Sequence, residues 1–340
     1  MVEAVGLERN KKNYASLDVL KLIMALIVVA RHIGGGSYVT ALTCCAVPTF
    51  FIISGFLVSN SEKRKGARAS FSQVIRVMKL YLVWSVIYLP LWIVDNRSEL
   101  SLSLVGEYLQ RFLFDGSYWH LWYLPSLIFA IIIFYGMQKL FKGNKVAIIT
   151  VALVCYIIGL IGDSYSGIFE KIPVIESCLT AYRSIFITTR NGLFYGLFFY
   201  TVGYYLETID KNISRRSSCL GIAVGILITV IENTVTFHFG ASSRQNMYIG
   251  TAVIALCSIL LFKEINISIS QRSDWFIRRM STIIYMVHIG IFRCVMIITD
   301  ILNLPKSLNE FFDWVFVIIC SIVICKLIEI PRLKKLGILC

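Results

Sequence analysis

The sequence predicts an all-α, polytopic membrane protein of about ten transmembrane helices with both termini cytoplasmic. Three observations carry this. Apolar residues make up 57% of the 340 and charged residues only 16%, with a mean hydropathy of +0.74, which excludes an ordinary soluble domain. Stretches of about 17–22 mostly apolar residues recur, each long enough to cross a hydrocarbon core of about 30 Å as a helix. Period-2 alternation is absent, and backbone groups inside lipid must be satisfied within the segment, so helices are expected and not a barrel.

The elements follow from apolar runs between polar breaks. Residues 1–16 are polar and charged, with no cleavable signal evident, and form a cytoplasmic segment before the first span, 17–33, "LDVLKLIMALIVVARHI". A second span at 41–59 runs into the basic break "SEKRKGARASFSQVIRVMK", and a third follows at 74–94. After a long connection, 95–120, the fourth (121–138) and fifth (146–162) are separated by "KLFKGNK". A second long connection, 163–192, leads to the sixth (193–209), which "DKNISRR" divides from the seventh (219–237). The eighth (247–262), ninth (282–300) and tenth (311–328) follow, "KEINISISQRSDWFIRR" standing between the eighth and ninth, with 329–340 as a cytoplasmic tail. One membrane domain therefore covers 1–340, without internal repeats.

Orientation comes from Lys and Arg, which stay on the cytoplasmic side. About 23 of the 33 fall in alternate segments that include both termini, and about 7 in the other five connections. The net charge of +13 is thus dispersed over cytoplasmic loops facing anionic lipid and does not point to nucleic acid. The ten cysteines are scattered and mostly within spans, with no metal-like pairs, so buried thiols are expected and neither a disulfide framework nor a metal site.

Ionisable groups inside a bilayer cost about 2.5–3.5 kcal/mol at mid-span and are functional candidates. Lys21 lies near the cytoplasmic edge of the first span, and His32 is eleven residues, about 16.5 Å, further outward. Eleven residues turn within about 20° of three full turns, so both share one helix face. Arg76 and Lys79, at i and i+3 on the start of the third span, lie on the same cytoplasmic side and can hold phosphates. A snorkelling lysine is the plain alternative for Lys79, and a helix-end histidine meeting water for His32. The arrangement suits transfer from a phosphorylated cytosolic donor such as acyl-CoA, with His32 as general base or as acyl carrier.

On the outer side, Trp119, His120, Arg190 and Asn191 in the long connections mix rings with hydrogen-bonding groups, which suits a sugar or another polar acceptor. An interfacial aromatic belt gives the same composition, and His120 at that interface needs no special role. Glu232, near the outer end of the seventh span, either lines the acceptor cavity or pairs with Arg293 of the ninth. For His288 a helix–helix hydrogen bond is expected.

These residues resemble the acyltransferase-3 family of membrane proteins, which includes O-acetyltransferases of capsule, lipopolysaccharide and exopolysaccharide sugars. Lys21, ten intervening residues and His32 are similar to its Arg-x10-His, with Lys in place of Arg. "FFIISGFLVS" (Phe50 to Ser59), Arg76 to Lys79, "WHLWYLPSLI" from Trp119 and "STIIYMVHIGI" from Ser281 resemble its further motifs in the family's order, over about residues 14–330. The resemblance implies that His32 is the catalytic histidine and that Lys21, Arg76 and Lys79 serve the donor, acetyl-CoA. Both lysines keep the charge but lose the planar fork of arginine. A narrower resemblance, carried by "IGDSYSGIF" from Ile161, "TTRNGLFYGLFF" from Thr188 and "WYLPSLI", is to the membrane portion of the serine racemases of vancomycin resistance, which is associated with serine uptake. With the sequence reaching Cys340, their pyridoxal-phosphate domain is not expected here, and "RQNMY" from Arg244 stands where that group has His-Asp-Ser-Met-Tyr.

The leading expectation is therefore a membrane-embedded enzyme moving an acyl group, acetyl first, from cytosolic acyl-CoA to a hydroxyl of a cell-envelope or exported carbohydrate, free or lipid-linked. A transporter of serine or a similar small polar solute is the alternative. A non-catalytic membrane partner is the third.

Overall fold

The computed structural model describes residues 14–34, 36–66, 68–97, 101–209, 213–239, 245–302 and 310–328. It is built of helices: α1 (Ala15–Ile33), α2 (Gly36–Thr43), α3 (Ala46–Lys65), α4 (Arg68–Asp95), α5 (Leu102–Phe114), α6 (Tyr123–Leu140), α7 (Lys145–Gly162), α8 (Ser166–Phe169) and α9 (Pro173–Phe186). A π-helical turn, Gly192–Gly196, then runs directly into α10 (Leu197–Tyr204), followed by α11 (Leu206–Ile209), α12 (Arg215–His238), α13 (Ile249–Glu264), α14 (Gln271–Ile301) and α15 (Glu310–Ile328). Six stretches are long and apolar enough to cross a membrane: Gly36–Lys65, Arg68–Asp95, Tyr123–Leu140, Lys145–Gly162, Arg215–His238 and Arg272–Ile298. The chain is a multi-pass membrane protein.

The other four expected spans are also helical, and three depart from a plain apolar helix of membrane length. Asp18, Lys21 and Arg31 charge α1, α13 is 16 residues long, and the run at 193–209 is broken by the π turn and again at Tyr205. The expected span at 41–59 is likewise broken at Cys44 and Cys45 between α2 and α3. The two long connections are not plain loops. Residues 102–114 and 173–186 form the amphipathic helices α5 and α9, tied together where the Gln110 amide donates to the carbonyls of Ser184 (2.9 Å) and Ile185 (2.8 Å). The 263–281 connection is also shorter than expected, because α14 begins at Gln271.

Local signals account for the ends. Ser101, Asn144 and Ser214 each accept a backbone N–H from the first turn of the helix that follows, and Pro173 starts α9, where its missing N–H is no loss. Gly66 closes α3 at a φ of 68°, a conformation that side chains rarely adopt.

Helix α3 lies at the centre, against α1, α4, α10 and α13. Phe51, Ile52 and Phe56 of α3 meet Phe134, Phe199 and Tyr200 in a core where each is at most 1% exposed. Bare backbone makes the α3–α10 crossing possible. A Cβ on Gly203 would collide with the Ile52 carbonyl and come within 2.7 Å of its carbon, while one on Gly55 would strike the Tyr200 carbonyl. Gly203→Val is therefore expected to destabilise the fold by about 3 kcal/mol. Thermal melts in detergent check this against Gly136→Val, where a Cβ meets nothing within 4 Å.

Helices α1 and α14 pack side by side and run parallel, since Asp18 meets Arg278 and His32 meets His288 further along both. Parallel neighbours agree with the first and ninth of ten alternating spans.

Candidate active site

His32 ends α1 on the wall of a cavity of about 270 Å³. The wall is assembled from distant segments: Arg31 and His32, Thr40 to Cys44 at the break after α2, Trp119 to Trp122 in the turn before α6, Arg190, Asn246 and Tyr285. The His32 ring meets the Trp119 indole edge-on at 4.9 Å between centroids and stacks on His288 at 5.3 Å. His288 in turn meets His120 at 5.3 Å. Three imidazoles from α1, the 119–122 turn and α14 thus stand together.

Hydrogen bonds assign two of the three tautomers. His288 Nδ1 bonds the carbonyls of Tyr285 (2.8 Å) and Ile284 (3.1 Å), so Nδ1 carries the proton and Nε2 is a lone-pair atom. His120 Nε2 lies 3.3 Å from the Met286 carbonyl, so Nδ1 is its lone-pair atom. Both lone-pair nitrogens are buried and have no protein partner. Around them the frame is fixed: Tyr285 donates to the His120 carbonyl at 2.6 Å, while Tyr88 donates to the Met286 carbonyl at 2.6 Å and accepts from the Gly290 N–H at 3.0 Å.

A second group of polar side chains lines the same cavity. Arg31 donates to the Thr40 carbonyl (2.7 Å) and to Asn246 Oδ1 (2.8 Å), and Arg190 donates to the same Asn246 oxygen (2.8 Å). Arg190 lies 4.3 Å above the Trp122 ring. Asn246 is held from behind by the wholly buried Asp163, whose carboxylate accepts from Asn246 N (2.8 Å), Asn246 Nδ2 (3.2 Å), Met247 N (3.0 Å) and the Ser164 hydroxyl (3.1 Å). Two segments singled out in the sequence, "IGDSYSGIF" and the end of "RQNMY", are thus joined by one carboxylate.

A string of contacts leads from the cavity to the other end of the bundle. The Tyr285 and Tyr123 rings are 5.8 Å apart, the Tyr123 hydroxyl is 3.2 Å from that of Ser54, and the Gln73 amide donates to the Ser54 carbonyl at 3.3 Å. Arg76 and Lys79 follow on α4, exposed and without an ion pair among the described residues. Lys21 is paired with Asp18, which also binds Arg278 Nε at 3.4 Å, and Arg278 binds Asp274 at 2.5 Å. Lys21 thus meets α14 through Asp18, inside a neutral four-charge network, while His32 meets His288 further along the same helix.

Of the residues read from sequence, His32, Trp119, His120 and Arg190 come together at the cavity. His120, placed in the sequence at an interface where it needed no role, is 2% exposed and within the histidine cluster. Asn191 and Glu232 have other partners. Asn191 accepts from the N–H groups of Leu193 (3.0 Å) and Phe194 (3.1 Å) and so caps the π turn that aims Arg190. Glu232 accepts from Ile249 N (2.9 Å) and Gly250 N (2.7 Å), capping α13, and is bonded by the Tyr165 hydroxyl. Arg293 is paired with Asp95, not with Glu232. The sequence missed Arg31, His288, Asn246 and Asp163 as members of one site. Among the described residues no group of three His, Cys, Asp or Glu side chains is placed to hold a metal.

A bundle with membrane-length helices around a cavity lined by His32 and His120 defines a membrane protein with a histidine site among its helices. The chain belongs to the acyltransferase-3 family, whose acyltransferase-domain model matches residues 14–330, and that membership suggests acyltransferase activity. It is also similar to an amino-acid racemase of Enterococcus faecalis, 28% identical over 255 residues (71% of this chain, 34% of the racemase). Similarity to a serine/alanine racemase of Enterococcus gallinarum is 28% over 251 residues (70% of this chain, 35% of the racemase). A further amino-acid racemase of Enterococcus faecalis is 24% identical over 336 residues (92% of this chain, 45% of the racemase). The chain spans between a third and a half of the length of these relatives. No solved structure matches it.

Proposed function

We propose that this protein moves an acyl group, acetyl first, from cytosolic acyl-CoA to a hydroxyl of a cell-envelope or exported carbohydrate, through ten spans with both termini in the cytoplasm. The observation that carries it is His32 on the wall of a cavity shared with His120, its ring stacked on His288, in a chain of the acyltransferase-3 family. His32 takes the proton of the acceptor hydroxyl as its oxygen attacks the thioester carbonyl. The carbon–sulfur bond breaks, the imidazolium returns the proton to the departing thiolate, and free CoA and an ester result. Attack by the imidazole itself, with an acyl-histidine resolved by the acceptor, balances equally well. In either route the lone-pair atoms of His288 and His120 accept hydrogen bonds from the acceptor or from water beside His32.

Arg76 and Lys79 receive the donor's phosphates in this proposal, and the contacts through Gln73, Ser54, Tyr123 and Tyr285 trace the direction of its extended arm. Arg76→Ala is expected to raise KM for acetyl-CoA about tenfold with little change in kcat, because a contact to a remote phosphate is equal in ground and transition states. Steady-state kinetics of CoA release by the purified protein check this. A fall in kcat at unchanged KM would place Arg76 elsewhere in the reaction.

The racemase similarity favours a second reading, passage of serine or a similar small polar solute. Proteoliposomes separate the two: solute uptake without any acyl donor supports passage, and donor-dependent CoA release supports transfer.

A further inference from the structure

We infer that the cavity wall formed by Arg31 and Arg190 binds an anionic group, so that the unit presented to His32 is a small hydroxylated acid carrying one carboxylate or phosphate. The inference rests on the acyl-transfer reading only for the placing of the hydroxyl beside His32.

Two guanidiniums face one small cavity, and neither forms an ion pair among the described residues. Their shared protein acceptor is a neutral amide oxygen, Asn246 Oδ1, at 2.8 Å from each. The nearby carboxylate, Asp163, forms an ion pair with neither among the described residues and already accepts four hydrogen bonds. Arg190 has donors to spare. Of its five N–H groups, one side-chain bond goes to Asn246, and its Nε is buried with no partner. Its face is covered by Trp122, which leaves the edge of the fork as the part able to receive a ligand.

Half-buried like charges on one wall repel, and a structure retains such a pair where a ligand brings the opposite charge. A planar fork matches carboxylate or phosphate oxygens with two parallel bonds. Arg31 is the chain neighbour of His32, so an anion held by the pair lies within one small unit's length of the imidazole. The cavity volume of about 270 Å³ has room for a single sugar ring or amino acid beside His32.

The test is direct binding to the full-length protein in nanodiscs, with each anion set against its uncharged counterpart: glucuronate against glucose, glycerol 3-phosphate against glycerol, serine against serinamide. One anion is expected to bind about 10–100-fold more tightly than its counterpart, and which one does so separates uronate, phosphate and amino acid. Arg190→Gln is expected to abolish that preference, and Arg190→Lys to retain part of it, because a lysine keeps the charge and loses the fork. Equal binding of charged and uncharged probes by the wild type overturns the inference, and so does a loss in Arg190→Gln that falls on acetyl-CoA and spares the anion. CoA release that depends on His32, measured in the same preparation, tests the acyl-transfer reading separately: release without anion preference sinks only the inference, and anion preference without release sinks only that reading.

Discussion

His32→Ala is expected to lower acyl transfer by about 10²–10⁴-fold, the range a positioned general base supplies. If the imidazole is itself acylated, the loss is at the upper end, since the variant then lacks the group that carries the acyl. The fold is expected to survive. His32 is half-buried at the end of α1, makes ring contacts with Trp119 and His288, and holds no helix to another by a side-chain hydrogen bond among the described residues. Mass spectrometry of surface glycans from cells with the wild type, the variant and neither, beside a melting curve of each protein, reads both quantities. Loss of the ester with an unchanged melt assigns His32 to the chemistry.

The largest structural effect is expected at Asp163. Its carboxylate satisfies the N–H groups of Asn246 and Met247, the Asn246 side chain and the Ser164 hydroxyl, all in a setting where Asp163 is 0% exposed. Asp163→Ala strands these donors, and each buried donor without a partner costs about 1–3 kcal/mol, so a loss of about 3–5 kcal/mol is expected. The consequence reaches the cavity, because Asn246 turned by Asp163 is what both arginines bond. Asp163→Asn keeps the shape and one acceptor oxygen and is expected to fall between the two. Melting curves with anion binding on the same samples check this, since an effect on stability alone would disconnect Asp163 from the arginine wall.

The apolar runs of α3, α4, α6, α7 and α12 were legible because length and hydropathy act locally. Helices α5 and α9 were not, because 13 and 14 residues of mixed composition are too short for a membrane window and read as polar connection. Nor did the apolar run at 193–209 betray its π turn, which is set by the Asn191 cap. In the site, His32, Trp119, His120 and Arg190 stood out as ionisable or aromatic groups near span ends. His288 was read as a bond between helices, yet its Nδ1 bonds its own helix, and its ring meets His32 only because α1 and α14 pack in parallel. Asp163 and Asn246 lay in segments that stood out, but nothing local showed that they meet, for their bond closes 83 residues. Glu232 and Asn191 show the converse. A buried polar residue beside a helix start has the same sequence appearance whether it caps the helix or binds a substrate.

The central claim is that His32 drives acyl transfer from acyl-CoA. Proteoliposomes holding the purified protein, supplied with acetyl-CoA on one side, test it when CoA release and serine uptake are followed together for wild type and His32→Ala. CoA release by the wild type, background release by the variant, and no solute uptake without donor are expected. Equal CoA release by both proteins, or serine uptake with no acyl donor and no CoA release, would contradict it.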